Sequence, residues 1–194
     1  MARTRRHRPC RPGLVTVPIV HLGNWTMVGL DIVAWGAIHA GTGYLAHRLS
    51  PTFCERDTWL TTLRGWERSG RVWTVLRVHD WKDRLPEAGD VFAGGVSMRS
   101  LPSRGHVGLT QFAASTRRAE IGHWLAAACS PMFLVWNPLW ISGVMVVYGF
   151  AVNAPFIAIQ RYNRLRVSRL LDRSASRRAA SARRASDTTG NNIP

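Results

Sequence analysis

The residues best suited to chemistry run Thr116-Arg117-Arg118-Ala119-Glu120-Ile121-Gly122-His123-Trp124. On a helix through this run, Glu120 and His123 stand three apart and project from one face, with Arg117 three before Glu120. A histidine beside a carboxylate is the ordinary arrangement for a general base, because the carboxylate orients the ring and stabilises the imidazolium. The run lies where a polar stretch enters a long apolar one, and ionisable groups are costly at such a boundary. Glu120 and His123 are therefore the candidate catalytic pair. The plainer alternative is a snorkelling arginine, a glutamate paired to it and a histidine bonded to backbone.

Two further groups carry charge beside apolar segments. Gln160-Arg161-Tyr162-Asn163-Arg164-Leu165-Arg166 follows the last apolar stretch directly. Its arginines, with Tyr162 and Asn163, suit a phosphate-bearing head group or donor; they equally suit a positive cap on a membrane helix. Asp80-Trp81-Lys82-Asp83-Arg84-Leu85-Pro86 is a charged turn that reads as well as a solvated loop. Asp31 is the one acid in the first apolar stretch, with His39, His123 or a polar cavity as its expected surroundings. Several common sites are missing: there is no Gly-x-Ser-x-Gly elbow, no P-loop and no His-Glu-x-x-His. No histidine is followed five positions later by aspartate, so the usual glycerolipid acyltransferase pair is absent too.

The elements that must position these groups follow from the block structure of the chain. Its 194 residues carry 26 Lys and Arg against 11 Asp and Glu, a net charge of +15, yet the mean hydropathy is near neutral. Apolar residues cluster in two places and basic residues flank them. That pattern fits membrane spans with their positive flanks better than nucleic-acid binding, for which no signature is present. Cys10, Cys54 and Cys129 have no Cys-x-x-Cys spacing, so neither a disulfide framework nor a metal site is signalled.

The expected architecture is an all-α membrane protein. A basic arm (1–13) precedes a first membrane segment (14–46), whose helix is expected at roughly 24–45. A cleaved signal peptide has a similar start, but the apolar stretch exceeds the usual length. A polar interfacial region (47–118) holds amphipathic helices over Asp57–Arg68 and Arg71–Asp80, with Pro86, Gly89, Gly94 and Gly95 marking a loop. From Ile121 to Ile159 there is no Lys, Arg, Asp or Glu, which is too long for one crossing and right for a helical hairpin (119–160) turning at Asn137-Pro138. Its first arm, 119–136, is short enough to be re-entrant, and the second, 139–159, is a full span. A basic interfacial motif (161–173) and an Arg/Ala/Ser tail (174–194) follow. The tail has too little apolar surface to repay ordering and is expected to be disordered on an anionic lipid surface.

Taken together, Thr116-Arg117-Arg118-Ala119-Glu120 with His123-Trp124, and Asn153-Ala154-Pro155 running into Gln160-Arg161-Tyr162-Asn163-Arg164, resemble the glycosyl-diaponeurosporenoate acyltransferase family, which completes staphyloxanthin-type carotenoids. Trp66-Glu67, Gly70, Trp73 and Trp81-Lys82 add weaker support over residues 46–170. Leu165 departs from the pattern, where proline is usual, as do the long N-terminal arm and the arginine-rich tail. The resemblance implies transfer of a fatty acyl group from an acyl thioester, acyl-CoA or another, to a sugar hydroxyl of a glycosylated carotenoid or glycolipid. No metal or cofactor is required.

In that chemistry His123, oriented by Glu120, takes the hydroxyl proton, and Arg118, Arg161 and Arg164 hold donor phosphates or the oxyanion. Arg117, Lys82, Tyr162 and Asn163 join them as candidate substrate-binding residues. A non-catalytic membrane scaffold, or a lipid- or carotenoid-binding carrier, would use the same spans. Both termini and the middle are basic, so charge does not choose a topology. The cytoplasmic interface of the cell membrane, where acyl thioesters are made, is the expected location of the site.

Overall fold

The computed structural model describes residues 18–85 and 105–190. Every regular element among them is helical. In order they are α1 (Asn24–His47), α2 (Pro51–Glu55), α3 (Gly65–Arg68), α4 (Arg71–Val75), α5 (Val78–Trp81) with a 3₁₀ turn at Lys82–Arg84, α6 (His106–Ala128), a 3₁₀ segment at Ser130–Val135, and α7 (Leu139–Gly190).

The frame is the hairpin of α6 and α7. It turns at Asn137-Pro138 as the sequence predicts, and Pro138 accepts the Ser142 N–H at 3.0 Å as α7 begins. The first arm differs from expectation. Its helix starts at His106, well inside the polar region, and ends at Ala128, before a tighter 3₁₀ segment leads into the turn. Pro131 explains the change of winding: it is seated in the first positions of that segment, where its missing N–H costs nothing.

At the far end of the hairpin Leu109, Phe112 and Ala113 pack on Val167, Leu170 and Leu171. Near the turn, α1 closes on it. Trp35 meets Phe133 at 4.9 Å and Tyr148 at 5.3 Å. Gly122 lets α1 approach α6, since a Cβ there would stand 3.1 Å from that of Ala46.

Two expectations for the polar middle need correction. Asp57–Arg68 is not one amphipathic helix: residues 57–64 form an irregular segment around a turn at 59–61, only Gly65–Arg68 is helical, and Trp59 is 78% exposed while Leu63 is buried. Thr58 and Thr61 cause this, because their hydroxyls bond each other and each other's backbone N–H groups, closing a local turn that competes with helix. The second segment divides into α4 and α5 at Arg77, whose φ of 50° makes it the one non-glycine residue with positive φ among those described. Here Trp73 and Val78 are buried and Leu76 is exposed. Gly70 stands between α3 and α4 with φ 85°, a left-handed conformation that glycine adopts without steric cost. These short pieces pack on α7 through Leu63, Trp73, Val78, Ile159 and Leu165. The loop expected around Pro86, Gly89, Gly94 and Gly95 lies outside the described residues.

A further correction concerns the tail, which continues α7 as helix to Gly190. Alanine and arginine are among the strongest helix formers, and extending an existing helix avoids the cost of nucleation, so no packing partner is needed. Among the described helices α7 alone is long and apolar enough to cross a membrane, and less than a quarter of its apolar stretch is buried.

Candidate functional site

Glu120 is wholly buried at the centre of an ion cluster. Its Oε1 accepts Nη1 of Arg161 at 2.5 Å and the Trp124 indole N–H at 3.3 Å; its Oε2 accepts Nη2 of Arg164 at 2.5 Å. Arg161 also grips Glu67 with both edges of its fork, Nε to Oε1 at 2.6 Å and Nη2 to Oε2 at 2.7 Å. Its remaining donors go to the carbonyls of Leu60 and Thr62, each at 3.0 Å. All five guanidinium N–H groups thus have acceptors inside the protein.

Glu67 is completed by the backbone N–H of Arg64 at 2.6 Å. Burial works to raise its pKa, but the bonds from Arg161 and Arg64, with the charges of Arg161 and Arg164, hold the carboxyl below its ordinary value. The cluster ties the Leu60–Glu67 loop to both arms of the hairpin.

His123 does not join this cluster, which corrects the expected Glu120–His123 pair. Its Nδ1 lies 2.9 Å from Oδ1 of Asn153 on α7, and its ring stacks on Phe156 at 4.8 Å and 13°. The amide of Asn153 is fixed in turn, since its Nδ2 donates to the carbonyl of Gly149 at 2.8 Å. An oxygen therefore faces the ring, so the hydrogen-bond network assigns the proton to Nδ1 and leaves a lone pair on Nε2. Asparagine takes the orienting role that Glu120 was expected to play.

The other predicted residues are spread out. Arg117 reaches Asp57 at 2.7 Å and the Cys54 carbonyl at 3.3 Å. Arg118 donates to the Leu49 carbonyl at 3.3 Å, with its buried Nε left unpartnered. Both are turned toward α2 and the end of α1, away from Arg161. Arg164 donates through Nη2 to Thr61 as well as Glu120, while its buried Nε and Nη1 have no hydrogen-bond partner. Asn163 is buried beside it. Tyr162 faces the other way, edge-on to Trp73 at 6.4 Å and beneath the Arg166 guanidinium at 5.8 Å. Lys82 is buried and pairs with Asp83 at 2.5 Å.

Asp31 is not paired with a histidine. It accepts the Trp136 indole N–H and the Asn137 amide, both at 2.8 Å, pinning α1 to the hairpin turn. Among the described residues no group of His, Cys, Asp and Glu is arranged to hold a metal ion. Reading roles from the sequence missed Glu67 and Asn153. A polar residue inside an apolar span, as Asn153 is, was the available signal.

Comparison with known proteins gives the class to which this helical frame, with its buried ion cluster and amide-oriented histidine, belongs: the chain is an acyltransferase. Residues 56–173 match the glycosyl-4,4'-diaponeurosporenoate acyltransferase family, and the chain belongs to it. It is 27% identical over 150 residues to the enzyme of that name from Staphylococcus haemolyticus (strain JCSC1435), covering 77% of this chain and 81% of the relative. It is 23% identical over 138 residues to those of Staphylococcus aureus strains USA300 and COL, covering 71% and 83%. No solved structure matches it. The matched region holds the whole Glu67–Glu120–Arg161–Arg164 cluster together with His123 and Asn153.

Proposed function

We propose that this protein transfers a fatty acyl group from an acyl thioester to a sugar hydroxyl of a glycosylated carotenoid or a similar glycolipid. The reaction takes place at the cytoplasmic face of the cell membrane, with His123 as general base. The observation that carries the reading is the His123–Asn153 contact: it leaves Nε2 as the acceptor, on a ring held by stacking and by a fixed amide. Nε2 takes the proton as the sugar oxygen attacks the thioester carbonyl; the imidazolium returns it to the departing thiolate. Asn153 positions the ring, and the Glu120 cluster holds the two helices that carry the pair.

The acceptor, a long apolar molecule with a sugar at one end, suits a protein whose α1 and α7 expose large apolar side chains such as Trp25, Ile32, Val147 and Phe150. Of the arginines considered for the donor, Arg161 has no N–H to spare, whereas Arg164 and Arg118 retain buried donors.

His123→Ala is expected to lower acyl transfer about 100- to 10,000-fold, measured as acylated glycolipid per unit of membrane-inserted protein by mass spectrometry. Asn153→Ala is expected to cost less, since it frees the ring without removing the base. Near-normal turnover by His123→Ala at normal abundance would end this mechanism.

A further inference from the structure

The ion cluster and His123 leave unused a groove of about 550 Å³ between α4 and α7. Trp73, Arg77 and Asp80 line one wall, and Tyr162, Arg166 and Arg169 the other. The face is separate from the His123 site. Tyr162 follows Asn153 by nine residues, about two and a half helical turns, which puts it on the opposite side of α7.

Its charges are unequal. Arg77 is answered by Asp80 at 2.7 Å, and Arg169 spends Nη2 on the carbonyls of Arg68 and Ser69. The Arg166 guanidinium makes no hydrogen bond to any described residue and lies over the Tyr162 ring. A half-buried arginine fixed by an aromatic face, with its donors unspent and, among the described residues lining the groove, no acid left over to answer it, is suited to an anion with several acceptor oxygens.

The position along α7 says which anion. From Leu139 to Ile159 the helix advances roughly 30 Å, the thickness of a bilayer's hydrocarbon core. Tyr162 then stands about 4.5 Å beyond Ile159, within the head-group layer, and the Arg166 side chain, tilted toward the helix N-terminus over the Tyr162 ring, reaches back to the same level, where tyrosine and arginine are favoured. Resting on the membrane reading given above, we propose that this groove binds the phosphate of an anionic phospholipid. The bound lipid seats α4 and the polar continuation of α7 against the membrane surface.

The test uses the full-length protein in detergent, titrated with dihexanoyl phosphatidylglycerol. The wild type should bind it and should bind the matching phosphate-free diacylglycerol far more weakly. Arg166→Ala should loosen the phospholipid at least about tenfold, the loss expected for a charge-assisted bond, with an unchanged unfolding temperature. Arg166→Gln serves if the alanine variant does not fold. Equal affinity in the variant would overturn the proposal, as would equal binding of diacylglycerol. Inorganic phosphate binding as tightly would assign the groove to a free anion, and displacement of the lipid by coenzyme A would assign it to the acyl donor; either defeats the lipid reading. Because lipid affinity is read in detergent, the groove can fail while the membrane reading and acyl transfer stand.

Discussion

Glu120 and His123 do share one side of α6, but sharing a side did not make them partners. The arms of the hairpin are antiparallel, so residues further along α6 meet residues earlier on α7. Glu120 accordingly reaches Arg161 and Arg164, while His123 reaches Asn153 and Phe156. This changes what a substitution at Glu120 should do. The sequence predicts that Glu120→Gln mildly weakens the orientation of a catalytic ring. The buried cluster predicts a folding defect, because the variant leaves two arginines in the interior short of their counter-charge, at a cost of about 3–5 kcal/mol. The expected outcome is a markedly lower unfolding temperature in detergent; wild-type stability with reduced turnover would restore the catalytic pair.

Glu67 adds a pH signature. Its carboxyl is held below its ordinary value by Arg161, so it contributes stability that is fully present above the unfolded value near 4.5 and fades as pH falls through the lower, folded one. Unfolding temperature should therefore hold on its account from neutral pH down to about 4.5 and decline below it. In Glu67→Gln the neutral-pH value should already be low and this acid-side decline reduced. An unaltered decline in the variant would assign acid sensitivity elsewhere.

Elements were legible where one strong local signal governed them. Asn137-Pro138 broke an apolar run too long for one crossing, and α1 begins at the expected Asn24. The middle was harder, because its apolar spacing suited a helix over Asp57–Arg68 while the paired hydroxyls of Thr58 and Thr61 favoured a turn. The division at Arg77 had no sequence cue, since a left-handed residue there is sustained by tertiary packing on α7. Partners across the hairpin were illegible for a related reason: spacing within α6 says which residues share a side, and the register against α7 is needed to say what they touch. In the basic tail the low apolar content predicts disorder, yet the chain is helical to Gly190, because alanine and arginine propagate helix without packing. Since its residues from Asp172 to Arg184 are almost all exposed, removing 174–194 should leave the unfolding temperature and turnover close to normal. Sedimentation with anionic vesicles should show weaker attraction. A loss of turnover comparable to that of His123→Ala would make the tail part of the site.

For the whole molecule, the proposed membrane location turns on α7 and α1. By length and apolarity α7 is sufficient among the described helices, and α1 is attached to the hairpin as well as exposing apolar side chains of its own. The attachment is specific: Asp31 bonds Trp136 and Asn137, and Trp35 lies against Phe133 and Tyr148. Deleting residues 1–46 would expose Gly122, the Asn137 amide and the Trp35 contact surface, so the remaining protein should be less stable. Anchoring is a separate quantity. A span of about 20 predominantly apolar residues suffices to hold a helix in the hydrocarbon core whatever packs beside it, and Leu139–Ile159 supplies that length. The truncated protein should therefore stay with membranes through an alkaline carbonate wash, while its unfolding temperature in detergent falls. Release into the supernatant would mean that α7 is an exposed helix of a peripheral protein, and that α1, or the two helices together, carry the association.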